Sequence, residues 1–364
     1  MTTDTSILKK RVKKLREKLA SDKINALIIT NGPNVSYLSG FMGDDSWLLI
    51  TANSNTLITD TRYTLQAQKQ CSICTIYERK GKMTEAIVEI FKKDKKIKTA
   101  AVEDTIQLSI YKTLESKLPA KLKIGQGIVE SVRQIKDSSE IEKIKKAALV
   151  AEISLAIVLK KIRVGLSEKE IAAMIDFEMK KQGAEPSFET NVSFGTNSAM
   201  AHHRPSAAKL KKIDTILIDY GAKLDGYCSD ITRCFAVGKV NKFYAEVYKA
   251  VLEAQTTAIN MLKAGIKAVD ADSAAKEIIT KANLKPYGHG LGHGIGLEIH
   301  EAPAVSYMSQ ISLQNGNVVT VEPGVYLDNK FGIRIEDDVL ITESGCEILT
   351  TLLTTDEVPL LKTK

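Results

Sequence analysis

Short apolar runs alternate with amphipathic stretches along the first third of the chain. The runs ALIIT, WLLIT, NTLIT, ICTIY and TAAVE predict strands. Apolar residues at helical spacing predict helices near residues 7–20, 63–70, 82–93 and 108–118. Strands that alternate with helices are typical of an α/β domain, and we expect such a domain in residues 1–130.

The pattern changes near residue 131, where ESVRQIKDSSEIEKIKK is polar and charged and opens a long helix. Ser139, followed three residues later by Glu142, offers a capping box for the start of this helix. We expect the domain boundary here, with the second domain spanning residues 131–364. A chain of 364 residues also exceeds what one hydrophobic core usually serves, so two domains are the expected arrangement.

The second part of the chain places helices between two groups of strands. SEKEIAAMIDFEMKKQG predicts a helix with Ser167 as its N-cap, Glu170 in its first turn and Gly183 at its end. Two further helices are expected near residues 241–264 and 270–283. The strand-like segments TILIDYG and GYCSDITRCFAVG precede these helices, and VVTVEPGVYL and GIRIEDDVLIT follow them. This order predicts an α+β layer.

The net charge of +7 is unevenly distributed. The excess of positive charge lies in the first 130 residues, where KKRVKKLREK and KKDKKIK are rich in lysine. Lysines at helical spacing are typical of a solvated helix face. Neither a helix-turn-helix, a zinc finger nor an aromatic RNA-binding motif accompanies them, so we expect no nucleic-acid partner.

Neither a membrane segment nor an export signal is predicted. No apolar run approaches the roughly 18 residues needed to span a bilayer. The first residues predict a charged amphipathic helix instead of an apolar signal core. The odd count of five cysteines fits reduced thiols, and the CxxC of Cys71 and Cys74 has no second pair to complete a zinc site. We expect a cytoplasmic protein without a membrane partner.

The histidines cluster in one part of the chain. Histidine is the commonest nitrogen ligand of metals, so clustering indicates a site. Three of them belong to HGLGHGIGLEIHE, whose glycines disfavour a regular helix and let the backbone approach a crowded site. This run is not HExxH, which excludes the helical zinc-peptidase motif. All five histidines lie between residues 202 and 300: His202, His203, His289, His293 and His300.

Two aspartates follow apolar strand segments. The run TILI leads directly into Asp219, and the next strand carries Asp230, so the two carboxylates can converge on one point. A carboxylate at the end of a buried strand is costly unless a cation compensates it. Taken singly, each aspartate is also explained as a turn residue. Asp225, next to Gly226, is the better turn residue and is excluded from the candidate ligands.

Two glutamates complete an oxygen-rich set. Glu322 lies in an apolar run directly before Pro323, which favours an extended backbone at the glutamate. Strand alternation places Glu336 on the same face as Arg334, so an ion pair with this arginine is an alternative explanation of Glu336. Four carboxylates and one imidazole, without a thiolate, suit a pair of Mn²⁺, Co²⁺, Fe²⁺ or Zn²⁺ ions better than structural zinc.

These motifs together resemble the prolidase/aminopeptidase P branch of the pita-bread metallopeptidases. The resemblance rests on the pair Asp219 and Asp230, the HGLGHGIGLEIH run, the EPG of Glu322 and the GIRIED of Glu336. NVSYLSGF and ITDTRY resemble the N-terminal domain of the same branch. The resemblance covers the whole chain. It implies an α/β N-terminal creatinase-type domain followed by an α+β pita-bread catalytic domain.

The resemblance also implies a dinuclear metal site. We expect two divalent ions, with Mn²⁺ first and Co²⁺, Zn²⁺ or Fe²⁺ as alternatives. Among the five implied ligands, Asp230 and Glu336 would bridge the ions. His203 matches no family role, and Ala201 replaces the proline that the family has before its histidine. The metal ligands carried over from the family are Asp219, Asp230, His293, Glu322 and Glu336.

Further residues carry over as catalytic or substrate-binding groups. His202 and His300 would stabilise the charge that develops on the scissile carbonyl oxygen. Glu322 would also shuttle a proton to the leaving nitrogen. His289 and Arg334 match family positions that contact substrate.

The reaction implied by the resemblance is hydrolysis of the peptide bond before proline by a hydroxide that bridges two metals. We expect an Xaa-Pro aminopeptidase, which releases the N-terminal residue from Xaa-Pro-peptides. An Xaa-Pro dipeptidase (prolidase) is the first alternative, and a non-catalytic pita-bread binding protein is a more distant one. The expected partners are proline-containing peptides and a second copy of the chain in a homodimer.

Overall fold

The computed structural model describes residues 4–354 and 356–362. The chain divides between Arg133 and Gln134 into two compact units. The N-terminal unit is an α/β fold and the C-terminal unit an α+β fold, as the order of apolar runs predicts.

A six-stranded mixed sheet forms the N-terminal unit. Its strand order is β4-β3-β2-β1-β5-β6, with β1, β5 and β6 mutually parallel and β1, β2 and β3 antiparallel. The strands are β1 (Ala26–Ile29), β2 (Trp47–Thr51), β3 (Asn55–Thr59), β4 (Thr75–Glu78), β5 (Thr99–Glu103) and β6 (Lys121–Gly125). The helices are α1 (Thr5–Ser21), α2 (Gly32–Ser39), α3 (Thr64–Gln70), α4 (Met83–Lys93), α5 (Leu108–Lys117) and α6 (Glu130–Arg133).

Apolar patterning identifies most of these elements. All five predicted strands and all four predicted helices of this unit are present. The helix α2 was not predicted, because its start, Gly32-Pro33, resembles a turn; in the structure Asn31 caps the helix and the proline occupies its first turn. The strand β6 was also not predicted, because KLKIG is largely exposed and its lysines hide the strand pattern.

Four long helices organise the C-terminal unit: α7 (Ser138–Leu159), α8 (Glu168–Lys181), α9 (Lys242–Met261) and α10 (Ala268–Lys281). The predicted capping box of Ser167 and Glu170 at α8 is confirmed. The predicted cap of α7 at Ser139 is wrong, because the Asp137 carboxylate accepts the backbone N–H groups of Ser139 and Glu140. No described helix combines the length and apolar character that a bilayer-spanning segment requires.

In the described part of the C-terminal unit, fourteen short strands build four small sheets, ordered β11-β10-β7, β20-β12-β9-β8, β14-β13-β15-β18-β19 and β16-β17. One hydrophobic cluster joins α7 and α8 to β8, β9 and β12, and another joins α9 and α10 to β15 and β18. The strands are β7 (Glu185–Pro186), β8 (Asn191–Phe194), β9 (Asp214–Tyr220), β10 (Ala222–Leu224), β11 (Tyr227–Cys228), β12 (Ile231–Val237), β13 (Gly292–Gly294), β14 (Glu301–Val305), β15 (Val318–Val321), β16 (Gly324–Leu327), β17 (Phe331–Arg334), β18 (Asp337–Ile341), β19 (Cys346–Ile348) and β20 (Leu360–Leu361).

Two apolar runs that resemble continuous strands are interrupted. VVTVEPGVYL breaks at Glu322-Pro323 between β15 and β16, and GIRIEDDVLIT breaks at Ile335-Glu336 between β17 and β18. At each break the chain passes between the five-stranded sheet and the β16–β17 hairpin. An isolated bridge between Thr232 and Glu336 connects the second break to β12. The two glutamates therefore lie where three sheets meet.

The glycines of β13 allow strands to approach closely beside this junction. A Cβ atom on Gly292 would lie 1.9 Å from the backbone oxygen of Thr320, and one on Gly294 would lie 2.3 Å from that of Ala302. Real Cβ atoms do not approach backbone this closely, so only glycine fits at both positions. Gly288, four residues before Gly292, has no atom within 4 Å of an added Cβ.

Alanine substitutions at Gly292 and Gly288 distinguish the effect of crowding at a glycine from the effect of reduced backbone flexibility. We expect Gly292→Ala to lower the free energy of unfolding by about 1–3 kcal/mol or more, because β13 must move away from β15. Gly288→Ala, the matched control, is expected to change it by no more than about 0.5 kcal/mol. Thermal unfolding followed by circular dichroism measures both. Equal midpoints for the two variants would contradict the close approach.

Candidate metal centre

The five predicted metal ligands meet in one cavity. Each is carried by a strand end, a strand break or the short strand β13, where the backbone lets a side chain turn inward. The cavity has a volume of about 550 Å³, within the range of small-molecule sites. The side chains that converge there are those of Asp219, Asp230, His293, Glu322 and Glu336.

The donor atoms are close to one another. The Nε2 atom of His293 lies 3.6 Å from Oδ2 of Asp230 and 3.6 Å from Oε1 of Glu322. One ligand atom each of Asp230, His293 and Glu336 lies within 4.8 Å of the other two. Asp219 lines the same cavity and forms an ion pair with Arg334. The arrangement therefore offers at least three donors to a single ion.

The imidazole of His293 presents a lone pair to the carboxylates. Its Nδ1 atom lies 3.1 Å from the backbone oxygen of Gly294, which fixes the proton on Nδ1 and leaves Nε2 unprotonated. Burial lowers the pKa of His293 to about 4, so the ring is neutral at neutral pH. A neutral ring cannot form an ion pair with Asp230 or Glu322. A cation between these groups would satisfy all of them.

Acidic side chains outnumber arginine and lysine side chains at this site. Burial raises the pKa of all four carboxyl groups, and for Glu336 burial and the neighbouring Asp219 raise it to about 7. Arg334 is the arginine nearest to them, with Nε 3.8 Å from Glu336 and 4.0 Å from Glu322. One guanidinium cannot balance four carboxylates, and the all-oxygen and imidazole donors suit hard or borderline divalent cations. The residues present therefore fit two divalent ions.

Hydrogen bonds hold the carboxylates in place. The hydroxyl of Thr232, fully buried in β12, donates to Oε2 of Glu336 at 2.6 Å and accepts from Nε of Arg334 at 3.0 Å. The hydroxyl of Thr320 accepts from the backbone N–H of His293 at 3.1 Å and donates to Glu322 at 3.4 Å. Threonine in a strand is ordinarily explained by β propensity, so sequence reasoning missed both residues.

Asp338 is a further acidic group that sequence reasoning missed. Its Oδ2 atom accepts the backbone N–H of Asp230 at 3.1 Å, while its Oδ1 atom has no hydrogen-bond partner among the described residues. Burial raises its pKa well above the usual value. It lies in β18, directly after the strand break at Ile335-Glu336. It fixes the backbone of a candidate ligand.

The predicted substrate-side histidines also line the cavity. The rings of His300 and His293 meet edge to face, with centroids 4.4 Å apart. His289 places Nε2 3.2 Å from the hydroxyl of Tyr326, which accepts from Nη1 of Arg334 at 3.0 Å. His202 lines the same cavity. Their catalytic and substrate-binding roles stay predictions.

The side chain of Arg334 lines the cavity and is held by hydrogen bonds to other groups of the protein. Only 6% of the side chain is exposed, and its guanidinium bonds to Asp219, Thr232, Tyr326 and the backbone oxygen of Ala201. The predicted contact of Arg334 with substrate stays a prediction. Its observed contacts orient the carboxylates.

Two residues that were excluded from the site have defined positions. Asp225 is exposed in the turn before β11 with φ 51°, which confirms it as a turn residue. His203 was expected to be uninvolved, but it lines the cavity and its Nε2 atom lies 2.9 Å from Oε2 of Glu168. Glu168 was missed because an acidic residue in the first turn of a helix is explained by the helix dipole.

Comparison with known proteins identifies the family. The pattern of metallopeptidase family M24 matches residues 142–343, and that of the creatinase/prolidase N-terminal domain matches residues 11–135. The chain belongs to metallopeptidase family M24. It therefore has a creatinase-type N-terminal domain and a pita-bread catalytic domain, and it belongs to a family of dinuclear metallopeptidases.

Full-length relatives carry names of proline-specific peptidases. The chain is 36% identical over 348 residues to an Xaa-Pro dipeptidase of Pyrococcus horikoshii, covering 94% of this chain and 97% of the relative. The structure of an Xaa-Pro dipeptidase from Bacillus anthracis matches with a TM-score of 0.92 and 36% identity, covering 97% and 100% of the two chains. An X-Pro aminopeptidase from Thermotoga maritima matches with a TM-score of 0.88 and 39% identity, covering 94% and 99%.

Replacing one candidate ligand tests the charge imbalance. We expect Asp230→Asn to raise the unfolding temperature of metal-free protein, because it removes one of four crowded carboxylates. Saturating Mn²⁺ is expected to stabilise the wild type, by about 2.7 kcal/mol at a hundredfold excess over the dissociation constant, and to have little effect on the variant.

Asp225→Asn is the matched control, because the same change at an exposed turn leaves the cavity intact and asparagine tolerates positive φ. Differential scanning fluorimetry with and without Mn²⁺ measures the shifts. A variant at position 230 with the full Mn²⁺ response would contradict its role as a ligand.

Isosteric changes at Thr232 test the hydrogen bonds around Glu336. Thr232→Val removes the hydroxyl without changing the volume, and we expect metal affinity to fall by about 10- to 100-fold. Thr232→Ser keeps the hydroxyl and is expected to retain most of the affinity. Calorimetric titration with Mn²⁺ distinguishes the two variants. Equal affinities would show that the hydroxyl does not orient the carboxylate.

Proposed function

We propose that this protein is an Xaa-Pro dipeptidase. The convergence of Asp219, Asp230, His293, Glu322 and Glu336 in one cavity carries the hydrolytic part of the proposal. The name of the Pyrococcus horikoshii relative, similar over 94% of this chain, favours the dipeptidase. The aminopeptidase expected from the sequence becomes the second candidate, supported by the Thermotoga maritima structure. The homodimer and the cytoplasmic location stay predictions.

The five residues named above would hold two divalent ions. Mn²⁺ is the ion that we expect first and that the experiments below use. When bound, such ions polarise the scissile carbonyl and generate a nucleophile from water at neutral pH. The protein contributes a fixed donor set and a cavity that shields the charges from solvent. The neutral tautomer of His293 supplies the nitrogen donor, and Thr232 and Thr320 orient two of the carboxylates.

Proton transfer is assigned to Glu322. Its carboxylate lies at the strand break before Pro323, 3.6 Å from Nε2 of His293, and Thr320 restrains one of its oxygens. The nitrogen of proline carries no hydrogen in the peptide bond and must gain a proton to leave as an amine. Glu322 takes the proton from the attacking water and delivers it to that nitrogen.

The histidines of the cavity act on the substrate. His202 and His300 donate hydrogen bonds to the carbonyl oxygen as negative charge develops there. His289 is fixed by the Tyr326 hydroxyl on one side and by the backbone oxygen of Gly290, 2.7 Å from Nδ1, on the other. Burial lowers the pKa of His289 to about 4, so it acts as a neutral, oriented ring.

Peptides of different length test the proposal. We expect purified protein loaded with Mn²⁺ to hydrolyse Ala-Pro and Gly-Pro. It should hydrolyse the tripeptides Ala-Pro-Ala and Arg-Pro-Pro at least tenfold more slowly, because a hydrogen bond to one charged terminal group contributes roughly a factor of ten. Chelation should abolish activity and Mn²⁺ restore it. Amino-acid analysis of the products identifies the bond that is cut.

The outcomes separate the candidates. Preference for Ala-Pro-Ala over Ala-Pro would replace the dipeptidase by the aminopeptidase. Stable, metal-loaded protein that cuts none of these peptides would contradict proline-specific hydrolysis. Ala-Ala is the control, because cleavage of it at a comparable rate would remove the requirement for proline.

A further inference from the structure

The strand breaks that carry Glu322 and Glu336 begin at one rung of the five-stranded sheet. Strands β15 and β18 are antiparallel, and the last pair in their register is Val321 opposite Asp337. Glu322 follows Val321 and Glu336 precedes Asp337, so each glutamate is the next residue on its own strand. Beyond this rung the chain leaves the five-stranded sheet for the β16–β17 hairpin. The rung therefore determines where the backbone of both glutamates starts.

One amide side chain connects the two strands at this rung. Gln255, a buried residue of α9, donates from Nε2 to the backbone oxygen of Val321 at 3.2 Å and to Oδ2 of Asp337 at 2.9 Å. An amide nitrogen carries two hydrogens, so each acceptor receives one of them. The side chain of Gln255 thus bridges the last paired residues of β15 and β18.

The surroundings of Gln255 on α9 are apolar. Val251, Ala254 and Ala258 of the same helix are buried in the hydrophobic cluster that also contains side chains of β15 and β18. A buried amide costs free energy unless its hydrogen bonds are satisfied, and an apolar side chain would pack here without that cost. Gln255 is therefore explained by its two acceptors rather than by packing.

The carboxylate of Asp337 is held by three donors outside the cavity. Its Oδ1 atom accepts from Nη2 of Arg233 at 2.6 Å and from the hydroxyl of Thr350 at 2.7 Å, and its Oδ2 atom accepts from Gln255. All four residues are buried, and none of the four lines the cavity. They do not reach a substrate in the cavity, so any effect that they have on the site passes through the backbone.

Arg233 supports the backbone of the second glutamate directly. Its Nη1 atom donates to the backbone oxygen of Glu336 at 2.5 Å and to that of Thr232 at 3.1 Å. Its Nε atom donates to the backbone oxygen of Leu353 at 3.1 Å. The peptide group of Glu336 is thus fixed to β12 and to the C-terminal segment. Through Asp337, Gln255 joins this support to the strand that carries Glu322.

We propose that Gln255 is a positioning residue, which keeps the last β15–β18 rung closed and thereby holds the carboxylates of Glu322 and Glu336 at the separation that two divalent ions require. The proposal rests on the proposed metal ligands and function. Without the amide, the backbone oxygen of Val321 and Oδ2 of Asp337 each lose a donor, and the end of the ladder frays. The two glutamates then diverge, and an ion that needs both is bound more weakly.

The test uses full-length protein and Mn²⁺ alone. Gln255→Met removes the amide with little change of volume. In calorimetric titrations well below the unfolding temperature, we expect the affinity for at least one Mn²⁺ ion to fall by about 10- to 100-fold in this variant. Electron paramagnetic resonance gives a second readout, because magnetic coupling between Mn²⁺ ions depends on their separation. The wild type should show a coupled pair, and the variant a larger share of isolated ions.

Gln182→Met is the matched control. Gln182 also donates two hydrogen bonds from one amide, to the hydroxyl of Ser154 at 2.8 Å and to the backbone oxygen of Glu178 at 3.1 Å, and it does not line the cavity. Its substitution should leave the Mn²⁺ affinity within about twofold of the wild type. Gln255→Asn keeps an amide on a shorter side chain, and we expect an intermediate loss. This variant decides the question if Gln255→Met does not fold.

The ways of failing are distinct. Wild-type protein that binds the coupled pair, with Gln255→Met unchanged or with Gln255→Met and Gln182→Met impaired equally, would overturn the role of Gln255 and leave the metal site and the dipeptidase in place. Wild-type protein that binds no coupled pair would overturn both the ligand set and the role of Gln255. Protein that shows the expected loss in Gln255→Met but cleaves no Xaa-Pro peptide would support the role of Gln255 and contradict only the proposed function.

Discussion

The four candidate ligand carboxylates lie close together beside the guanidinium of Arg334, and other features of the catalytic unit accommodate this concentration of acidic groups. Removing Asp230 and Glu336 from water is costly, and their mutual repulsion adds to the cost. Arg334 compensates part of the charge through Asp219 and lies near Glu322 and Glu336. The neutral imidazole of His293 adds a donor without adding charge of either sign. Divalent cations supply what these groups lack, in agreement with the dinuclear chemistry of family M24.

The backbone geometry follows from the need to direct these side chains to one point. The side chains of a continuous strand alternate between the two faces of its sheet. Such strands alone do not direct side chains from neighbouring sheets to one point. The strand breaks at Glu322-Pro323 and Ile335-Glu336 remove this constraint, because each break places a glutamate where the chain passes from one sheet to another. Gly292 permits β13 to lie against Thr320, whose hydroxyl then contacts both His293 and Glu322. Close packing and ligand orientation are thus produced by the same contacts.

The cavity has two parts with different construction. The acidic part is built on strand ends and is held by buried hydrogen bonds such as that from Thr232 to Glu336. Another part is a loop, fixed by Glu168, that carries His203 and the exposed Arg204. Chemistry common to a family is expected on the rigid part, whereas discrimination among peptides is expected on the loop.

The sequence by itself determined the two fold classes, most helices and strands, and four candidate carboxylates, because these depend on local periodicity and on acidic residues in apolar surroundings. The choice of His293 among the histidines rested on the family resemblance. It misplaced the cap of α7 at Ser139 because competition between neighbouring caps depends on backbone geometry. Only the tertiary structure decided the strand breaks, the contact of Thr232 with Glu336 and the attachment of the Arg204 loop to Glu168. The Thr232 contact joins residues 104 positions apart, and that of Glu168 with Ser206 joins residues 38 apart. No local pattern encodes such pairs, because they arise only when separate sheets and loops pack around one buried charge.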